Sequence, residues 1–192
     1  MGWQVCRTHS GAQGDRVKFI PTAIDGAFLI EIEAHEDERG YFGRMRSDED
    51  FAAQGLNNNL SECSLSANHL RGTLRGMHYQ QAPDEETKLV TCVRGSIFDA
   101  IIDLRKDSPS YMTSFTTELF LENRQSLYIP PGVAHGFLTL EDHSYVQYQI
   151  GGKYAPDAAR GVRWDDPAFD IGWPFEPGVI SARDVAYEDY QA

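Results

Sequence analysis

The chain predicts a single all-β domain, a sandwich or barrel, and three observations carry that reading. From Leu60 onward it is a succession of short apolar-rich runs at regular spacing, divided by turns that contain Gly and Pro. Only one stretch has clear helical character, and one or two turns of helix cannot cover a parallel sheet. The length of 192 residues, with 41% hydrophobic and 24% charged residues, suits one globular domain with a sizeable core. No repeat, low-complexity segment or linker splits it, so residues 21–192 form the expected domain. Residues 1–20 carry little pattern and read as a loose tail.

The elements follow in order. Ala27 to Ile32 alternates from Leu29 on and predicts a strand. The acidic run from His35 to Glu38, followed by Arg39-Gly40, predicts a turn, with a second strand starting at Tyr41-Phe42. Ser47 to Gly55 is the helix. Ser47 caps it, with Asp50 three residues on; acids fill the first turn, and Gly55 stops it. Leu89–Val93 and Ser96–Asp103 are two strands, and Arg94-Gly95 between them reads as a hairpin turn. In the second, Ile97, Asp99, Ile101 and Asp103 share a face, which points either to a polar cavity or to a wet side; Asp103 is expected on the wet side. Ser108-Pro109-Ser110 is a turn, and Met112 to Leu121 a strand rich in Thr and Phe. Pro130-Pro131-Gly132 separates two more strands and leaves His135 just after the turn. Ser144 to Ile150 places Val146, Tyr148 and Ile150 on one face, and beyond it the chain becomes loop-like.

A formal net charge of −12 argues against nucleic acid or an anionic membrane surface as partner. A small anionic ligand would need a local cluster of cations, and Arg39, Arg71, Arg75, Lys88 and Arg183 are the candidates. No apolar run reaches the ~20 residues of a membrane span, and the N-terminus lacks the apolar core of a signal peptide. Three scattered cysteines, Cys6, Cys63 and Cys92, form neither a disulfide framework nor a metal knuckle, so a reducing cytoplasm is the simplest compartment.

Chemistry concentrates in Arg71-Gly72-Thr73-Leu74-Arg75-Gly76-Met77-His78-Tyr79-Gln80. Glycine permits close backbone approach to a ligand, arginine offers a fork for phosphate oxygens, and histidine can act as a base near neutral pH. The same residues also suit a plain strand and turn with a buried histidine. Phosphate-loop, dinucleotide and serine-elbow motifs are missing. Tyr79-Gln80 after His78 leaves no His-x-His pair for a metal. Proton transfer remains: His78 as base, Tyr148 or Tyr154 as acid, and Lys88 to stabilise an enolate.

Between Ala27 and Asp184 the chain resembles the dTDP-4-dehydrorhamnose 3,5-epimerase family of nucleotide-sugar epimerases. The resemblance rests on ordered blocks: Asp37-Glu38-Arg39-Gly40, Gly72 to Gln80, Lys88-Leu89-Val90, Glu122-Asn123-Arg124, Tyr128 to Phe137, Tyr154-Ala155-Pro156 and Arg163 to Pro167. It implies a cupin-type jelly roll, usually a homodimer, active without metal or organic cofactor. It further implies His78 as general base, Asp184 as the carboxylate that orients it, Tyr148 as general acid, and Lys88 and His135 along the sugar. Arg39, Phe42, Arg75 and Arg183 match substrate contacts, and Tyr154 the ring that stacks on the base.

The implied reaction inverts C3, C5 or both in a nucleotide-diphospho-4-keto-6-deoxy sugar. Alternatives are a 3,4-ketoisomerase and a non-catalytic sugar-nucleotide binding module; product analysis separates the first and solvent deuterium exchange the second. Three departures from the rhamnose-pathway members lie at the nucleotide end: Arg44 where they carry Glu, Cys63-Ser64-Leu65 for Gln-Asp-Asn, and Ala159 near a lost Glu. The resemblance therefore supports the chemistry more than the choice of base.

Overall fold

The computed structural model describes residues 16–57, 59–60 and 62–191. The chain enters with β1 (Val17–Pro21) and β2 (Phe28–Ile32), a hairpin of β3 (Ala34–Asp37) and β4 (Gly40–Gly43), and helix α1 (Asp48–Ala53). The body follows: β5 (Glu62–Asn68), β6 (Thr73–Gln80), β7 (Thr87–Arg94), β8 (Ser96–Asp103), β9 (Ser114–Phe120), β10 (Gln125–Ile129), β11 (Val133–Thr139) and β12 (Ser144–Gly151). Two short strands, β13 (Ala159–Gly161) and β14 (Val179–Ile180), precede helix α2 (Ala182–Val185).

Two sheets form a jelly roll. One has the order β1-β2-β10-β7-β12-β5; the other runs β13-β6-β11-β8-β9, with β14 beside β6. Pairing is antiparallel except for β14 on β6. Alternation sends Val90, Cys92, Leu127, Ile129 and Val146 inward from the first sheet, against Ile97, Ile101, Val133 and Phe137 of the second. The outer face of the first sheet is covered by α1, whose Phe51 is fully buried against Val17, Ile30, Leu89 and Tyr128. The Ser47 side chain accepts the Asp50 N–H at the start of α1, as the local sequence predicts. The C-terminal segment covers the other outer face, setting Val162 and Phe169 on Met77, Ala100, Ile102 and Ala134. Among the described residues, no helix is long and apolar enough to cross a membrane.

Three expectations need correction. Residues 17–20, read as tail, pair with β2 as β1, because Val17 and Phe19 join the cluster under α1; the rest of that segment, Cys6 included, lies outside the described residues. Arg94-Gly95 does not close a hairpin. β7 already sits between β10 and β12, and β8 between β11 and β9, so Gly95 (φ +68) turns the chain from one sheet to the other. Asp103 is not on a wet side. Its side chain is fully buried, held by Arg105 at 2.7 Å and by the Ser110 hydroxyl at 2.6 Å. Gly76 brings its backbone close to another strand: a Cβ there would lie 2.4 Å from Gly136 Cα of β11, and its φ is +143.

Candidate active site

A cavity of about 680 Å³ opens between the sheets where the apolar core ends, and Arg75, His78, Lys88, His135, Tyr148 and Asp184 are among its walls. β6 and β11 pair with His78 directly opposite His135. β7 and β12 bring Lys88 and Tyr148 from the other sheet; Tyr148 shares the inward face of Val146, as its alternation predicts.

His78 and Asp184 are 106 residues apart in sequence, yet His78 Nε2 lies 2.7 Å from Asp184 Oδ1. The short helix α2 makes this possible. Ser181 caps it by accepting the Asp184 N–H, and the Gly76 N–H donates to the second carboxylate oxygen at 3.4 Å. Only 5% of the Asp184 side chain is exposed, against 40% for His78, so the imidazole faces the cavity with the acid behind it. A carboxylate accepts, so Nε2 carries the proton and Nδ1 keeps the lone pair. Burial pushes the His78 imidazole below its ordinary value of 6.5; Asp184 opposes this, while Lys88 and Arg183 add to it. The ring is therefore neutral, and able to accept a proton, at physiological pH.

A second histidine–carboxylate pair lies beside the first. His135 Nε2 is 2.9 Å from Asp99 Oδ2, with side chains 3% and 0% exposed. Burial pushes the Asp99 carboxyl up, with His135 and Lys88 acting against it. Lys88 Nζ donates to the His78 carbonyl at 3.2 Å and pairs with Glu86 at 3.0 Å, which fixes a cation within the cavity wall. The Tyr148 ring centroid is 5.8 Å from that of His135, edge to face. Burial, and after it the charge of Asp99, pushes the Tyr148 phenol above its ordinary value of 10.0, so it holds its proton at neutral pH. A neutral base, a protonated phenol and a fixed cation around one space are the parts required for proton removal beside a carbonyl and its return.

Tyr154 and Arg183 also line the cavity, with Tyr154 65% exposed. The Arg75 Nε donates to Asn68 Oδ1 at 2.7 Å. Arg39 and Phe42 do not join them. Both lie on the β3–β4 hairpin, an excursion off the sandwich, where the Arg39 guanidinium is committed to Asp37 and Phe42 borders a separate cavity of about 170 Å³. Of the five cations expected to cluster, Arg75, Lys88 and Arg183 line this cavity, joined by Arg160 of β13, which the sequence did not single out. Asp99 was also missed as a site residue; its alternation with Ile97 and Ile101 carried the signal of a polar cavity but named no partner. No group of three or more His, Cys, Asp or Glu is placed to hold a metal ion among the described residues.

Comparison with known proteins points to the same chemistry. The family model described as dTDP-4-dehydrorhamnose 3,5-epimerase matches residues 21–191. The dTDP-4-dehydrorhamnose 3,5-epimerase of Methanothermobacter thermautotrophicus is 42% identical over 170 residues, covering 87% of this chain and 91% of that protein. The dTDP-4-dehydrorhamnose 3-epimerase of Streptomyces niveus is 36% identical over 169 residues, 88% of this chain and 81% of that one. The crystal structure of the Bacillus anthracis dTDP-4-dehydrorhamnose 3,5-epimerase, with TDP and PPi bound, matches with a TM-score of 0.87 at 33% identity, over 91% of this chain and 100% of that chain. With sequence, fold and cavity in agreement, this chain belongs to the dTDP-4-dehydrorhamnose 3,5-epimerase family.

Proposed function

We propose that this cavity inverts C3, C5 or both of a nucleotide-diphospho-4-keto-6-deoxy sugar by proton transfer between its own side chains and the substrate. The observation that carries this is the placing of the His78–Asp184 pair, Tyr148 and Lys88 on one cavity. His78 Nδ1 takes the proton from the carbon beside the C4 ketone, and Asp184 stabilises the imidazolium that forms. Lys88, with His135, stabilises the enolate oxygen. Tyr148 gives its proton to the opposite face of that carbon, and inversion follows. Arg75 and Arg183 neutralise the diphosphate, and Tyr154 stacks on the base.

The relatives named for dTDP sugars, and the TDP held by the Bacillus anthracis protein, favour a thymidine nucleotide. Leu65, 61% exposed on the cavity wall, stands where the rhamnose-pathway pattern has a polar side chain, so the base is the part to establish by experiment. A homodimer in the cytoplasm completes the reading. The apolar surface of the β3–β4 hairpin, with Phe42 76% and Tyr41 40% exposed, suits a second copy, and light scattering on the purified chain would measure it.

The test is solvent deuterium exchange into dTDP-, UDP-, CDP- and GDP-linked 4-keto-6-deoxy sugars, with product stereochemistry read in parallel. His78→Ala should abolish exchange. Tyr148→Phe should still exchange while epimer formation falls ~100- to 10,000-fold, as expected for loss of one acid–base group. Exchange at the wild-type rate in His78→Ala would remove the base from this scheme. Since the base must be neutral, the acid limb of the rate profile should lie below pH 6.5, the ordinary histidine value.

A further inference from the structure

We infer that Tyr187 is a positioning residue for the His78–Asp184 pair, its ring closing the flank of the imidazole that the cavity leaves uncovered. This rests on the reading of His78 as the base. The Tyr187 ring meets the His78 ring at 6.2 Å between centroids and 67°, edge to face. It does not itself line the cavity, whereas His78 and Arg183, the two side chains it meets, do. Two features seat it. The Arg183 Nε donates to the Tyr187 hydroxyl at 2.9 Å, tying the ring to the helix that carries Asp184. On its other side lies Gly161, the β13 residue paired with His78; a Cβ there would lie 2.3 Å from the Tyr187 Cε2 and Cζ. The ring thus occupies the space a side chain would fill, and it bridges the strand beside the base to the helix behind it.

Two consequences follow from packing an aromatic edge against an imidazole. The ring restricts rotation of His78, and it keeps water from the pair, which favours the neutral base. The charged and titratable groups around His78 are Asp184 and Arg183 of α2, Lys88 and Glu86 near the start of β7, His135 of β11, Arg160 of β13, Tyr148 of β12, Tyr154 after it, and Arg75 and Tyr79 of its own strand. Of these, Arg183 is hydrogen-bonded to the Tyr187 hydroxyl, and Tyr187→Phe releases it while keeping the ring, so a shift seen in Tyr187→Ala and not in Tyr187→Phe reports the lost ring.

The experiment compares pH profiles of deuterium exchange for wild type, Tyr187→Phe, Tyr187→Ala and Gly161→Ala. Tyr187→Phe should keep the wild-type acid limb. Tyr187→Ala should shift that limb to higher pH and lower kcat by about 10- to 100-fold with KM little changed. Gly161→Ala, which pushes the ring off its seat, should shift the limb the same way and add nothing in the Tyr187→Ala background. If Tyr187→Ala fails to fold, Tyr187→Leu carries the same expectation. An unchanged acid limb in the folded variant, or additive effects of the two substitutions, overturns the inference. His78→Ala run alongside separates the two failures: residual exchange there sinks the base assignment, whereas a dead His78→Ala with an unmoved Tyr187 profile sinks only the role of the ring.

Discussion

Asp99 and Asp103 stand on the same strand, on the same face and equally out of solvent, yet they do opposite things. At the end of β8, the Asp103 carboxylate receives hydrogen bonds from Arg105, Ser108 and Ser110, all supplied by the turn that follows. Burial alone would raise its pKa; those donors outweigh it and hold the carboxyl at about 2. In mid-strand, Asp99 has only His135 from the neighbouring strand, and its Oδ1 has no hydrogen-bond partner among the described residues. Burial therefore pushes its carboxyl up. A fully satisfied buried carboxylate stabilises a fold; a half-satisfied one costs stability and is kept where a charge is wanted beside a reacting group.

Substitutions can break or sharpen this contrast. The largest effect is expected for Asp103→Ala, which leaves Arg105 without its partner: a loss of roughly 3 kcal/mol in urea unfolding, with normal exchange kinetics in the fraction that stays folded. Next comes Asp99→Asn. It should slow deuterium exchange about 100-fold, close to 3 kcal/mol of barrier, because His135 loses the charge that orients it. The urea midpoint should hold or rise. A variant with wild-type kinetics and a falling midpoint would show that Asp99 is a structural residue after all.

The pH dependence of stability separates the two by sign. The folded value of Asp103 lies below its ordinary 3.8, so its contribution is present above that pH and is lost as pH falls towards about 2. The amount is about 2 kcal/mol, and Asp103→Asn should remove that slope from the acid-unfolding curve. The folded value of Asp99 lies above 3.8, so its ionisation costs stability as pH rises, and Asp99→Asn should flatten the curve on that side. The smallest effect is Ser110→Ala, which removes one of the donors to Asp103 and should cost about 1 kcal/mol with no change in exchange.

Features that depend on near neighbours were legible in the sequence. The Ser47 cap of α1 follows from a hydroxyl three residues ahead of an amide. The inward face of Val146 and Tyr148 follows from strand alternation. The candidate site residues could be named because their blocks recur as a family pattern, although pattern alone cannot show that His78 and Asp184 touch. Reading failed where a local signal had two outcomes. Arg94-Gly95 is good turn chemistry for a hairpin or for a crossing between sheets, and the other partners of β7 and β8 selected the crossing.

The order of apolar and polar residues thus dictated an all-β chain, its turns, its one N-terminal helix and the chemical types available for catalysis. Those are properties of residues within a few positions of each other, where backbone geometry links them directly. Which carboxylate meets which imidazole depended on the packing of the two sheets. His78 finds Asp184 across 106 residues, and His135 finds Asp99 across 36, because strand register and the capped turn of α2 bring them within hydrogen-bond distance. Burial, which sets the protonation of His78, Asp99 and Tyr148, belongs to the same level: a side chain's solvent is chosen by everything folded around it.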